Sequence, residues 1–121
     1  MKKMRGLTEI GLYSNSLGQD SRGVNCLYSL LAHNPNIQYI NLQDNNLNDT
    51  DAASLVKILL ESTGLSSLDL RQNKIGNAGG VKILNALKQG KCVVKDIKLT
   101  ANQIRQKTLF EINNILSGGQ L

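Results

Sequence analysis

The sequence predicts an α/β, right-handed solenoid in which parallel strands form a concave sheet and helices cover the convex side. Three observations lead to this prediction. An eleven-residue pattern, L-x-x-L-x-L-x-x-N-x-I, occurs four times, with starts separated by 30, 28 and 29 residues. Aliphatic and polar residues alternate at the centre of each copy, as in a strand with one buried face. Each copy is followed by aliphatic residues at helical spacing, and strands joined through helices run parallel.

The four copies share aliphatic residues at the first, fourth, sixth and eleventh places. They run from Leu7 to Leu17, Ile37 to Leu47, Leu65 to Ile75 and Val94 to Ile104. One such strand cannot bury its apolar side alone, so neighbouring units must stack. The ninth place is always asparagine, at Asn15, Asn45, Asn73 and Asn102. Because an amide can pair with main-chain groups that a turn leaves open, we expect these asparagines to form one structural column.

This pattern resembles the leucine-rich repeat, and its length resembles the ribonuclease-inhibitor-like class. The likeness covers Leu7 to about Gly118 and implies a horseshoe segment of four repeats. We expect a single domain over residues 1–121, with repeats at about 7–36, 37–64, 65–93 and 94–118. In this family the concave surface commonly binds proteins. The ribonuclease inhibitor alternates asparagine repeats with cysteine repeats, whereas this chain carries asparagine in all four. Scaffolding, cytoskeletal regulation and recognition in signalling are roles of other such proteins.

The first two helices are predicted from caps and breakers. Asp20-Ser21 can cap the first helix, and Asn34-Pro35-Asn36 ends it because proline cannot continue a helix. Asp49, Thr50 or Asp51 can cap the second. Gly64 is expected to stop that helix at its carboxyl end.

The last two helices carry similar signals. Gly79-Gly80 at the start of the third predicts close approach to the neighbouring repeat. The residues predicted to face inward from that helix are Val81, Ile83, Leu84 and Leu87. Gly90 is expected to end it. Thr108 to Glu111 has the spacing of a capping box for the fourth helix, which Gly118-Gly119 would end.

The composition suits a stack of aliphatic layers. Hydrophobic residues make up 40% of the 121 residues, but aromatic residues make up 3%. The chain contains no apolar run of about 18 residues, so a transmembrane segment is not expected. The start of the chain lacks the pattern of a secretory signal, and Cys26 and Cys92 are far apart. Two reduced thiols and a cytoplasmic location follow as expectations.

Candidate binding residues lie between the aliphatic places of the strands, where core packing does not dictate the side chain. Tyrosine and arginine are frequent interface anchors because they combine contact area with a polar end. Tyr13, Tyr39 and Arg71 are therefore the first candidates for contact with a protein partner. The further candidates are Asn41, Gln43, Asp69 and Lys98. The alternative interpretation is a sheet surface that these side chains merely solvate.

Positive charge is concentrated in the carboxy-terminal half. Between residues 71 and 107 the one acid is Asp96. The nine bases of this segment are Arg71, Lys74, Lys82, Lys88, Lys91, Lys95, Lys98, Arg105 and Lys107. Such a field would attract an acidic protein. It also leaves open anion-directed binding of RNA or acidic lipid, although the absence of interleaved aromatic residues argues against nucleic acid. A structural spacer, or a fragment of a longer repeat array, is a third interpretation.

Enzymatic chemistry is not expected, and neither is a metal or other cofactor. The single histidine, His33, has no nearby cysteine or acid at ligand or triad spacing. Asp69 and Asp96 are offset by two positions in the strand pattern, because Asp96 aligns with Ser67. A phosphate-binding loop of the GxxxxGK[ST] kind is absent from the sequence. Neither end of the stack has an obvious polar cap, which predicts either weak self-association, end to end or through the concave face, or a place in a longer repeat array.

Overall fold

In the part of the chain that the structure describes, four short strands alternate with four helices. The computed structural model describes residues 9–11, 22–62 and 64–118, with side chains from Leu27 onward. The strands are β1 (Glu9–Gly11), β2 (Tyr39–Asn41), β3 (Ser67–Asp69) and β4 (Asp96–Lys98). The helices are α1 (Arg22–His33), α2 (Asp49–Glu61), α3 (Asn77–Lys88) and α4 (Gln106–Leu116).

The four strands form one parallel sheet in the order β1-β2-β3-β4. Equivalent places of the repeat lie side by side, since Tyr39 pairs with Ser67 and Ser67 pairs with Asp96. The predicted α/β repeat solenoid is confirmed, and so is the alignment of Asp96 with Ser67. The predicted domain and repeat boundaries stay a prediction.

Aliphatic rows fill the space between the sheet and the helices. The fourth place of the repeat gives Ile40, Leu68 and Ile97, which are at most 3% exposed. The sixth, eleventh and helical places add further rows to the same cluster. Full burial of one such side chain contributes about 1.5–3 kcal/mol. A single repeat cannot bury these side chains alone, so this stabilisation depends on the stacking of neighbouring repeats. Tyr28 is half-buried at the edge of this cluster, and the buried part of the cluster is aliphatic.

Asparagines connect neighbouring repeats at the point where each strand ends. The side chain of Asn73 accepts hydrogen bonds from the main-chain N of Asn45 and Leu47, at 2.8 and 3.1 Å. Its Nδ2 donates to the carbonyls of Leu42 and Leu70, both at 3.0 Å. Asn102 repeats the arrangement one unit later, and the predicted column is confirmed for three of its four members. Asn15 lies outside the described residues.

Asn102 accepts from the main-chain N of Ile75 at 3.0 Å and donates to the carbonyls of Leu70 and Leu99. The residue before each described asparagine of the column adopts a left-handed backbone. The φ angles are 60° at Asp44, 57° at Gln72 and 59° at Ala101. This turn is built without glycine in all three described repeats, although it disfavours L side chains.

Several predicted helix ends are confirmed. Helix α1 ends at His33, directly before Asn34-Pro35. Gly90 and Gly118 follow α3 and α4 with φ angles of 72° and 91°, which any residue with a Cβ adopts at a cost. Gly79 and Gly80 also make the predicted close approaches. A Cβ at Gly79 would lie 2.6 Å from Asp49 Oδ1, and one at Gly80 would lie 2.8 Å from Ile104 Cγ2.

The predictions for the ends of α2 need correction. Asn48 is the N-cap, and its side chain accepts from the main-chain N of Thr50 and Asp51 in a capping box. At the other end α2 stops at Glu61 with Ser62 as C-cap, so Gly64 does not end it. Gly64 is needed instead because a Cβ there would overlap the carbonyl oxygen of Pro35.

Two further predictions for the helices are wrong. Thr108 does not cap α4, because the helix begins at Gln106 after Arg105. Its hydroxyl donates to Asn77 Oδ1 of the preceding repeat at 2.8 Å. Val81 does not face inward, since it is 36% exposed on α3. Ile83, Leu84 and Leu87 are buried as predicted.

Candidate binding surface

The candidate site is the face of the sheet that points away from the core. Side chains alternate across a strand, so the third, fifth and seventh places of each repeat face away from the rows of leucine and isoleucine. We call this face the sheet surface. Its members with described side chains are Tyr39, Asn41, Gln43, Ser67, Asp69, Arg71, Asp96, Lys98 and Thr100. The parallel register sets them in rows across β2, β3 and β4.

The side chains of the second repeat are held by short polar contacts. Asn41 Oδ1 accepts a hydrogen bond from the main-chain N of Gln43 at 3.0 Å. The Gln43 side chain reaches across to the next repeat, where its Nε2 donates to Gln72 Oε1 at 2.7 Å. Tyr39, Asn41 and Gln43 are each half-buried. These residues therefore present ordered polar groups while keeping part of their surface available.

Asp69 and Arg71 form an ion pair at the centre of the sheet surface. Arg71 Nε donates to Asp69 Oδ1 at 2.9 Å, and Arg71 Nη2 donates to Asp69 Oδ2 at 2.7 Å. The main-chain N of Arg71 also donates to Asp69 Oδ1 at 3.1 Å. The side chain of Asp69 is 0% exposed, whereas that of Arg71 is 40% exposed. A buried carboxylate thus fixes an exposed guanidinium.

The electrostatics of this pair favour the ionised carboxylate. Burial acts to raise the pKa of Asp69, but the side-chain and main-chain hydrogen bonds from Arg71 oppose it. The positive charges of Arg71 and Lys98 act in the same direction as these bonds, so the pKa of Asp69 lies below its ordinary value. Asp69 is therefore ionised when Arg71 meets a partner at neutral pH.

The fourth repeat adds a more open region. Ser67 Oγ donates to Asp96 Oδ2 at 3.2 Å, which links β3 to β4. Lys98 lies beside Asp69 in the sheet register and is exposed. A positive and a negative side chain, Lys98 and Asp96, thus occupy neighbouring outward places of the same strand.

The structure places six of the seven predicted binding residues on one surface. Tyr39, Asn41, Gln43, Arg71 and Lys98 have accessible surface, and Asp69 is buried behind its bonds to Arg71. Tyr13 lies outside the described residues. Sequence reasoning missed Gln72, which bonds Gln43 from the eighth place of the repeat. Gln72 directly follows the seventh place of its repeat, and this position next to a candidate binding residue was the feature of the sequence that could have indicated it.

Other groups were also missed because their partners are distant in sequence. The Lys57 ammonium lies 4.3 Å from the centre of the Tyr28 ring, and the Tyr28 hydroxyl donates to Glu61. That hydrogen bond raises the pKa of Tyr28, with burial and the charge of Glu61 adding to it. Tyr28 and Glu61 border a pocket of about 200 Å³ between the carboxyl ends of α1 and α2.

The described residues offer little for catalysis or metal binding. Among them, no group of three histidines, cysteines or acids is placed to hold a metal ion. His33 Nδ1 lies 2.9 Å from the carbonyl oxygen of Ser29, a contact within its own helix end. Burial raises the pKa of the Cys92 thiol. None of the helices that the structure describes has both the length and the hydropathy to cross a membrane.

The bases of the carboxy-terminal half are spread over several surfaces. Eight of them are exposed, namely Lys74, Lys82, Lys88, Lys91, Lys95, Lys98, Arg105 and Lys107. Lys82 and Lys88 lie on α3, Lys98 lies on β4, and Lys107 lies on α4. Lys88 is within 4.0 Å of Glu111. The basic residues therefore lie on several elements and do not concentrate in one groove.

Comparison with known proteins supports the same family from several directions. Residues 33–56 and 61–84 match the family described as "Leucine Rich repeat". The ribonuclease inhibitor of Mus musculus is 31% identical over 100 residues, which are 82% of this chain and 22% of that protein. The NACHT, LRR and PYD domains-containing protein 12 of Homo sapiens is 29% identical over 91% of this chain and 10% of its own length.

A solved structure gives the same result for the fold. The tropomodulin C-terminal domain of Caenorhabditis elegans superposes with a TM-score of 0.69 at 12% identity, covering 93% of this chain and 83% of that one. The chain spans about a fifth of the mouse ribonuclease inhibitor and a tenth of the human protein that it matches. Its repeats, its asparagine column and these relatives together show that the chain belongs to the leucine-rich repeat proteins, with repeats of the ribonuclease-inhibitor-like kind.

Proposed function

We propose that this chain is a non-enzymatic module that binds a protein partner through the sheet surface. One observation carries the proposal. A continuous row of polar and aromatic side chains lies on the face opposite the aliphatic core, where packing does not select them. Leucine-rich repeat proteins generally act as protein-interaction modules, which agrees with this use of the chain.

Tyr39 and Arg71 are the proposed anchors of the interface. Both are half-buried before binding, so part of each side chain is already ordered. Asn41, Gln43 and Lys98 would surround them with further polar contacts, and Asp69 would act by holding Arg71. Tyr13 stays a candidate by its alignment with Gln43 and Arg71. A small number of such anchors usually carries most of the binding energy.

The proposal is tested by capturing partners from cells of the source organism with matched variants. A Tyr39→Ala, Arg71→Ala double variant removes an aromatic residue and a base from the sheet surface. A Phe110→Ala, Lys107→Ala double variant removes the same chemistry from α4, where both side chains are exposed. We expect the first variant to lose partners that the wild type and the second variant retain. Identical partner lists from both variants would contradict binding through the sheet surface.

The basic carboxy-terminal half supports a second candidate, anion-directed binding of RNA or acidic lipid. Its eight exposed bases are the observation in favour. These basic residues are distributed over α3, α4, β4 and loops, whereas a nucleic-acid-binding site usually has its Lys and Arg side chains aligned along one groove. Their distribution therefore favours protein binding through the sheet surface. Retention on an immobilised polyanion should decrease steeply with salt if this candidate is correct.

The remaining expectations concern the location of the module and the proteins with which it associates. A cytoplasmic location, an acidic partner and weak self-association stay predictions. The spacer interpretation is tested by the same capture experiment, since a spacer would give the same partners with and without Tyr39 and Arg71. The repeat-array interpretation also stays a prediction.

A further inference from the structure

We propose that Arg71 is a receptor for a carboxylate of the partner, with Asp69 as its positioning residue. This inference rests on the proposed function, because it assigns the chemistry that the centre of the sheet surface recognises. The ligand class is an aspartate or glutamate side chain, or a chain-terminal carboxylate, of a protein. The argument begins with the hydrogen-bond donors of the guanidinium.

Two N–H donors of the Arg71 guanidinium are engaged and three are open. An arginine side chain has five N–H donors in one plane. The Nε hydrogen and one Nη2 hydrogen are used on Asp69. Within the described part of the chain, every hydrogen bond of the Arg71 side chain goes to that carboxylate. The edge formed by Nη1 and Nη2 therefore keeps two parallel donors, which match the two oxygens of a second carboxylate.

Asp69 holds this open edge before any partner arrives. Its carboxylate is 0% exposed and accepts from both the side chain and the main chain of Arg71. Ordering a free arginine side chain opposes binding through lost rotamer entropy. Here folding has already restricted the side chain, while 40% of its surface stays accessible. The pair is therefore built as a rigid donor fork and not as a mobile surface charge.

The local charge favours a carboxylate over a phosphate dianion. Asp69 compensates the single charge of Arg71, and Asp96 is close enough to act on Arg71 as well. Lys98 supplies one exposed positive charge beside Asp69. A monoanion fits this nearly balanced field, whereas a second negative charge would be repelled. The half-buried ring of Tyr39, on the neighbouring strand, offers apolar contact to the methylene groups of an acidic side chain.

The test uses the whole chain and small probes of known composition. Proton–nitrogen correlation spectra of the arginine side chains are recorded during titration with N-acetyl-Gly-Glu-Gly-amide. The matched control is N-acetyl-Gly-Gln-Gly-amide, and further titrations use inorganic phosphate and chloride at equal ionic strength. We expect the glutamate probe to shift the Arg71 signals saturably and the glutamine probe and chloride to leave them unchanged. Equal shifts with chloride, or tighter binding of phosphate than of the glutamate probe, would overturn the assignment.

Two variants separate the donor fork from charge alone. Arg71→Lys keeps the charge but lacks the fork, and its affinity for the glutamate probe should fall by about tenfold, as for loss of one hydrogen bond to a charged group. Asp69→Asn removes a negative charge, so attraction alone predicts tighter binding of the glutamate probe. Positioning predicts weaker binding, because the neutral amide of this variant would release the guanidinium. An unchanged affinity in Arg71→Lys, or a tighter one in a folded Asp69→Asn protein, would contradict the proposal.

The outcome is independent of partner capture. If the glutamate probe binds at Arg71 but the capture experiment is insensitive to Tyr39 and Arg71, the carboxylate site stands and the proposed function fails. If capture depends on Tyr39 while the glutamate probe does not bind, the sheet surface stands as an interface and the carboxylate assignment fails.

Discussion

Asp49 of one repeat accepts a hydrogen bond from the main-chain N of Gly79 in the next, through Oδ1 at 3.1 Å. The same oxygen accepts from the main-chain N of Gly76 at 2.6 Å. Gly76 is the N-cap residue of α3 and provides no side-chain cap. The amino-terminal end of α3 is therefore capped by a side chain of the preceding repeat. This cap satisfies main-chain N–H groups at the start of the helix and also links the two repeats.

Replacement of Gly79 by alanine is expected to destabilise the protein although alanine favours helix. The new Cβ would lie 2.6 Å from Asp49 Oδ1 and 2.9 Å from Ile75 Cγ2. Overpacking of this kind costs about 1–3 kcal/mol, which exceeds the helix-propensity gain of about 1 kcal/mol. We expect a lower free energy of unfolding in urea denaturation. The Asp49→Ala, Gly79→Ala double variant should lose less than the two single variants combined, because Asp49 is one source of the clash. Strict additivity would show that the carboxylate is not responsible.

Contacts between repeats mark the limit of what the sequence predicts. The strand places, the buried rows and the asparagine column follow from a pattern with a fixed period, and these predictions are confirmed for the described residues. The caps of α3 and α4 do not follow, because their acceptors, Asp49 and Asn77, are about one repeat away. Local rules assigned Thr108 to its own helix, whereas its hydroxyl bonds Asn77.

The candidate surface likewise has features that the sequence predicts and features that it does not predict. Strand alternation predicts which residues face away from the core, and it correctly excludes Leu68 and Leu70 from that face. It does not predict that Asp69 is buried while Arg71 is accessible, because that difference depends on how two side chains two places apart fold onto each other. Gly64 gives a third example, since its requirement for glycine comes from Pro35 in the previous repeat.

Replacement of Asn73 by alanine should be among the most destabilising single changes in the described part of the chain. The asparagine is 6% exposed, accepts from two main-chain N atoms of the second repeat and donates to three carbonyls. Each buried group left without a partner costs about 1–3 kcal/mol, so we expect a loss of about 3 kcal/mol or more. Equilibrium urea denaturation measures the loss. The Gln103→Ala variant, at an exposed place in the next repeat, serves as the control and should change stability little.

A loss comparable to that of Gln103→Ala would show that the asparagine column does not hold the repeats together. The same experiment with Asn102→Ala gives a graded comparison. Asn102 is half-buried and accepts one main-chain hydrogen bond where Asn73 accepts two, so its loss should be smaller.

The pH dependence of stability should reveal the Asp69–Arg71 pair. The pKa of Asp69 is depressed in the folded protein, so the carboxylate contributes stability above its unfolded pKa of about 4. That contribution should disappear as pH falls through the lower folded pKa. We therefore expect the wild type to be more stable than Asp69→Asn at neutral pH and the difference to shrink under acid conditions. Urea denaturation of both proteins at a series of pH values measures it. A difference that is constant with pH would show that the pair adds no ionisation-linked stability.

Replacement of Ala101 by glycine should stabilise the protein, in contrast to the usual effect of glycine. Ala101 has a φ of 59°, a left-handed backbone that costs an L residue about 1–2 kcal/mol. Glycine removes this strain but increases the entropy of the unfolded chain, so we expect a net gain of about 0.5–1 kcal/mol. Thermal and urea denaturation measure the change. Ala53→Gly provides the matched control, because Ala53 is exposed in the middle of α2, where glycine costs about 1 kcal/mol relative to alanine. The same substitution should thus have opposite signs at the two sites, and destabilisation at both would show that the turn before Asn102 is not strained.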